Sequence, residues 1–126
     1  MNNIFSITNT TRGEVPGVDF LPIKDSVLGK KYELSLVFVG DKKSQTLNNK
    51  YRKFNKPTNC LSFSLGKNSG EIFINLGKAK KEAPSFGMKF EKFIIYLFIH
   101  SCLHLKGMDH GSIMEKAEEK MLKIFK

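Results

Sequence analysis

The segment from Met88 to Lys106 constrains the fold more than any other part of this 126-residue chain. Its middle, Phe93 to Ile99, is the longest unbroken apolar run, and it leads directly into His100 and His104. The β-branched and aromatic content alone would suit a strand, but the segment is too long for one, and length favours a helix. A helix that is apolar on every side has to be surrounded by protein, so this one belongs at the centre of a domain. The run is too short to cross a bilayer, which takes about 20 residues.

The remaining pattern supplies partners for that helix. Asn3 to Thr8 reads as a short strand and Val18 to Leu28 as a weaker helical stretch. Glu33 to Val39 is apolar on both parities at its end, which predicts a strand covered on both faces. Asp41 to Phe54 reads as a basic helix, with Asp41 as N-cap and Leu47, Tyr51 and Phe54 facing inward. Lys56-Pro57-Thr58-Asn59 is a turn, because a proline drives the residue before it out of helical space. Cys60 to Leu65 and Glu71 to Leu76 alternate as strands, and Lys67 to Gly70 between them makes an antiparallel hairpin. Ser112 and Glu115 have the spacing of a capping box, opening a last helix with Ile113, Ala117, Met121 and Ile124 inward. The expected fold is therefore α+β: a small mixed sheet packed with helices in one domain, residues 1–126.

All three histidines of the chain lie within His100-Ser-Cys-Leu-His104-Leu-Lys-Gly-Met-Asp-His110. Positions 100 and 104 share one helix face, one turn apart. Gly107 can end the helix in a left-handed C-cap, and the following residues can swing His110 back toward that face. Three converging neutral imidazoles form the ligand set of an open tetrahedral site, so one divalent metal per chain is expected, zinc ahead of nickel, cobalt or iron. The metal site thus belongs on the central helix, in the manner of zinc peptidase helices, and on the loop after it. The peptidase signature, however, places Glu directly after the first histidine, where this chain has Ser101. Asp109 either orients an imidazole or a bound water, or satisfies local backbone in the turn.

Lysine and arginine total 21 against 12 acids, a net charge of +9. The excess is concentrated between Asp41 and Lys56, where Lys42, Lys43, Lys50, Arg52, Lys53 and Lys56 meet a single acid. Such a patch favours a phosphate backbone with salt-dependent affinity, although solvation alone also explains exposed lysines. Cys60 and Cys102 lack the spacing of a metal pair and are expected to be free thiols without a disulfide partner. The N-terminal residues lack the pattern of a signal peptide, which predicts a cytoplasmic protein with no membrane partner.

Three blocks together carry a family resemblance. The histidine run resembles the H-G-x-L-H-L-x-G-x-D-H signature of the YbeY family, the bacterial ribosomal RNA maturation endoribonucleases. Leu47-Asn-Asn-Lys-Tyr51-Arg52 and Lys56-Pro57-Thr58-Asn59-Cys60-Leu61-Ser62-Phe63 resemble its L-N-x-x-Y-R and K-P-T-(D/N)-V-L-S-F block, and Gly70-Glu71-Ile72 its G-D-I strand. Ser101 stands where the signature has glycine, Ser64 where proline is usual, and Glu71 in place of aspartate.

The resemblance implies a metal-dependent, single-strand-specific endoribonuclease. It would act in maturation of the small-subunit (16S) ribosomal RNA 3′ end and in ribosome quality control. It implies zinc on His100, His104 and His110, with Arg52 and His100 carrying catalysis, and single-stranded RNA and the small ribosomal subunit as partners. Lys42, Lys43, Lys50, Lys53 and Lys56 would guide the strand. One competing reading is a non-catalytic ribosome-assembly factor whose zinc is structural, closed by Cys102 or Asp109. A zinc peptidase is the other, and it lacks a base near His100.

Overall fold

The computed structural model describes residues 4–125 and arranges them on one sheet of four strands. These are β1 (Phe5–Asn9), β2 (Glu33–Val39), β3 (Cys60–Gly66) and β4 (Ser69–Asn75), in the spatial order β1-β2-β4-β3. β1, β2 and β4 run parallel, and β3 pairs antiparallel with β4 through the hairpin that the alternating pattern predicts. The mixed sheet of an α+β domain is thus present. The first residue of the predicted N-terminal strand, Asn3, lies outside the described part.

Register assigns each sheet face its helices. Leu34, Leu36 and Phe38 of β2 align with Gly70, Ile72 and Ile74 of β4. Together they bury one face against α1 (Leu21–Leu28) and α4 (Phe90–Lys106), which contribute Ile23, Val27, Phe93, Ile94, Leu97 and Phe98. α4 is the helix expected at the centre: Phe93, Ile94, Phe98 and Ile99 are all 0% exposed. α1 begins at Leu21 with Pro22 in its first turn, three residues later than the pattern suggested. The opposite face receives only α2 (Asp41–Arg52), which packs on β3 and β4 and leaves Ser35, Val37 and Phe73 half-buried. β2 is therefore fully covered on one face and partly on the other.

Two helix starts differ from expectation, for the same reason. Gly40, not Asp41, is the N-cap of α2; Asp41 is inside the first turn, where its carboxylate accepts from Asn75 Nδ2 at 2.8 Å. Ser112 is likewise the first helical residue of α5 (Ser112–Phe125), with the Glu115 amide donating to the Gly111 carbonyl at 3.0 Å, so no capping box forms. A glycine preceding a polar residue takes the cap in both.

Two inward faces were also misjudged. On α2, Ser44, Leu47 and Asn48 are buried, whereas Tyr51 and Phe54 are 55% and 57% exposed. On α5 the buried stripe runs through Met114 and Glu118, with Ala117, Met121, Leu122 and Phe125 against the core, while Ile113 and Ile124 point outward. α3 (Leu76–Glu82), capped by Asn75, and a 3-10 turn at Ala83–Phe86 fill a stretch in which the pattern predicts no element.

Candidate metal centre

α4 presents His100 and His104 one turn apart at its C-terminal end. Gly107 then takes φ 109°, a left-handed conformation, and donates its amide to the carbonyls of His104 and Leu103. That cap turns the chain so that His110 returns to the helix face, as the spacing predicts. The ring centroids of His104 lie 4.6 Å from those of both His100 and His110, and the His100 and His110 rings are 5.2 Å apart. One donor nitrogen from each of the three lies within 4.8 Å of the other two.

Hydrogen bonds orient two of the three rings. The His100 Nδ1 faces the Glu118 carboxylate at 2.5 Å, and the His104 Nδ1 faces the Met108 carbonyl at 2.9 Å. Both oxygens are acceptors, so each Nδ1 carries the proton and each neutral ring keeps a lone pair on Nε2. Those Nε2 atoms face each other at 3.1 Å. With the protons on Nδ1, both Nε2 lone pairs point into the cluster, where one cation can accept them together. Two nitrogens on a tetrahedral metal with bonds of about 2.0–2.1 Å lie roughly 3.3 Å apart, so the donor set fits. Burial lowers the pKa of His104, and the neighbouring His100 lowers it further, with smaller effects from His110 and Arg52 against the opposing Met108 carbonyl. The lone pair is therefore available near neutral pH.

The ring-orienting partners include a residue that sequence reasoning missed. Glu118 is a carboxylate at 6% exposure whose acceptor oxygen fixes His100, while the exposed Asp109 makes no side-chain hydrogen bond among the described residues. The signal was present: Glu118 interrupts the apolar stripe from Met114 to Met121, where a charge has to be paired. Choosing Ile113 as the inner residue rotated the stripe and hid it. Neither Cys102, fully buried in the core, nor Asp109 joins the three imidazoles, and both cysteines are free. The ligand set is open, unlike a structural zinc site.

The imidazoles line a cleft of about 200 Å³ with Arg52, Thr58, Asn59, Cys60, Leu61, Ser62 and Ser101. The edge strand β3 thus forms one wall and α4 the other. Arg52, the last residue of α2, lines the cleft, and the chain turns just after it, where Lys53 adopts φ 62°. Burial raises the pKa of the Cys60 thiol, against the opposing pull of Ser101 and Arg52, so this wall residue stays protonated. Of the five lysines in the basic patch, Lys56 lines an adjoining trough; Lys42, Lys43, Lys50 and Lys53 are exposed and line neither space.

Comparison with known proteins places the chain among similar sequences and folds. The family model described as Endoribonuclease YbeY matches residues 19–126. A Campylobacter jejuni protein named Endoribonuclease YbeY is 41% identical over 110 residues, covering 80% of this chain and 81% of that one. One of the same name from Neorickettsia sennetsu is 39% identical over 106 residues, covering 75% of this chain and 74% of its own. The solution structure of a Thermotoga maritima protein superposes with a TM-score of 0.64 at 25% identity, covering 94% of this chain and 87% of the other.

Proposed function

The chain belongs to the YbeY endoribonuclease family, and from that premise we propose that it hydrolyses phosphodiester bonds of single-stranded RNA with a bound divalent metal. The substrate we assign is ribosomal RNA of the small subunit, at the 16S 3′ end, in maturation and quality control. The metal is zinc, one per chain, held by His100, His104 and His110. The reaction has a cytoplasmic setting, in keeping with the finding that no helix of the described residues is long and apolar enough to cross a membrane.

The observation that carries the reading is the meeting of three convergent imidazoles and a guanidinium in one small cleft. A divalent metal there supplies Lewis acidity and acidifies a bound water. Glu118 and the Met108 carbonyl hold two rings in the tautomers that direct Nε2 inward. Arg52 offers a planar fork of donors to a phosphate and stabilises the charge that builds on its oxygens in the transition state. The cleft, about 200 Å³, has room for a phosphodiester group and a few waters at about 30 Å³ each. The exposed lysines of α2 attract the rest of the strand electrostatically.

The assembly-factor reading is disfavoured by the open ligand set, and the peptidase reading by Ser101 at the position of the missing base. Arg52→Ala is expected to retain fold and metal while cleavage of labelled single-stranded RNA falls by roughly 10²–10³-fold, the range for losing one transition-state donor. Arg52→Lys should recover part of it, since an ammonium keeps the charge but not the fork. Native-rate cleavage by the alanine variant would remove Arg52 from the mechanism.

A further inference from the structure

Beside the metal cleft lies a second space of about 410 Å³, lined by Asn48, Arg52, Phe54, Lys56, Pro57, Thr58, Asn59, Lys78 and Glu82. Arg52, Thr58 and Asn59 line both spaces, so the trough opens from the cleft between the end of α2 and α3. We propose that this trough is a nucleotide subsite, in which one unpaired base of the RNA lies against Phe54 and its adjoining phosphate is held between Arg52 and Lys56. The proposal rests on the ribonuclease reading and adds a position to it.

Three observations support that occupant. The first is Phe54 itself. After the left-handed Lys53 its amide donates to the Asn48 carbonyl at 3.4 Å, and this turn leaves the ring 57% exposed. The other exposed aromatic nearby, Tyr51, already rests on Phe63 with ring centroids 4.7 Å apart. Phe54 stacks on no ring among the described residues, and the Lys56 ammonium lies over its ring, 6.0 Å from the centroid. An exposed aromatic ring with a cation close to it is the kind of platform on which single-stranded bases stack.

The second is charge. Arg52, Lys56 and Lys78 face a single carboxylate, Glu82, whose oxygens are engaged by Asn59 Nδ2 at 2.9 Å and Lys78 Nζ at 3.4 Å. The trough therefore keeps a net positive field for a phosphate. The third is continuity: a strand whose scissile phosphate meets Arg52 in the cleft has its neighbouring nucleotide at the mouth of the trough. A stacked base must be unpaired, which gives single-strand preference a physical origin in this chain.

The test uses the full chain with bound metal and a single-stranded oligoribonucleotide carrying 2-aminopurine, whose fluorescence is quenched on stacking. Wild-type protein should quench it. Phe54→Ala should lose the quench and bind about 5- to 150-fold more weakly, the range for one base stack, with metal content and circular dichroism unchanged. Phe54→Trp should restore both, and the defect in cleavage should appear in KM more than in kcat. An alanine variant that quenches and binds like wild type overturns the subsite, as does wild-type protein that cleaves RNA without quenching, and both leave the ribonuclease reading intact. A protein that cleaves no RNA overturns that reading and the subsite with it.

Discussion

Glu118→Gln tests the tautomer argument with the smallest change of shape. The buried carboxylate accepts the His100 Nδ1 proton at 2.5 Å and thereby directs the Nε2 lone pair into the cluster. The amide matches the carboxylate in size but lacks its charge, and it can present an N–H to the ring, which would flip the tautomer and place a proton where the metal binds. Losing such a ring-orienting partner typically costs 10- to 100-fold in metal affinity, about 1.4–2.7 kcal/mol. In fixed excess of zinc the same amount disappears from the holo-protein's unfolding free energy. For a domain of this size that lowers Tm by roughly 4–14 °C. Competition against a chromogenic chelator measures the affinity directly, and thermal melts with and without zinc provide the independent check. A variant that binds zinc within about twofold of wild type would refute the reasoning, because His100 would then find its tautomer without Glu118.

Other consequences concern packing and pH. A methyl added at Gly70 would meet the Tyr32 hydroxyl at 2.5 Å and Leu105 at 3.0 Å, so Gly70→Ala should destabilise by about 1–3 kcal/mol in urea unfolding. The Tyr32 hydroxyl is buried without a hydrogen-bond partner among the described residues, so Tyr32→Phe should cost nothing and should rescue part of the Gly70→Ala loss. Because His104 has its pKa lowered from 6.5 in the folded state, the unfolded chain takes up a proton there that the folded chain resists. That contribution to stability is therefore present above the ordinary value and is lost as pH falls below it. Metal-free protein should show a lower urea midpoint at about pH 5.5 than at about pH 7.5, with a smaller difference in His104→Ala. Equal differences in the two proteins would refute the assignment.

The central helix was legible because its apolar run has no solvent-facing side, and the ligand trio because three histidines at that spacing admit few arrangements. The hairpin was legible from strict alternation on either side of a two-residue turn. Glu118 was missed because setting Ile113 inward turns the stripe away from it; with Met114 and Met121 inward the glutamate falls on the face that packs against α4. Phe54 and Tyr51 misled for a different reason: the helical period marks them as core, but α2 covers only part of its sheet face and ends at Lys53. α3 escaped notice because seven residues, opened by a leucine and a glycine and rich in lysine, carry too little periodicity to separate from a loop. Arg52 was nominated by the resemblance and the basic patch, whereas its place beside the imidazoles depends on how α2 packs on β3 and β4.

The account stands or falls on whether RNA cleavage depends on metal at the histidine cluster. Labelled single-stranded RNA should be incubated with the purified protein as isolated, after chelator treatment, after zinc is restored, and with His104→Ala under each condition. The account predicts cleavage by the isolated protein, its loss on chelation, its return with zinc, and neither metal retention nor cleavage in the variant. Undiminished cleavage by the chelated protein or by His104→Ala would contradict it.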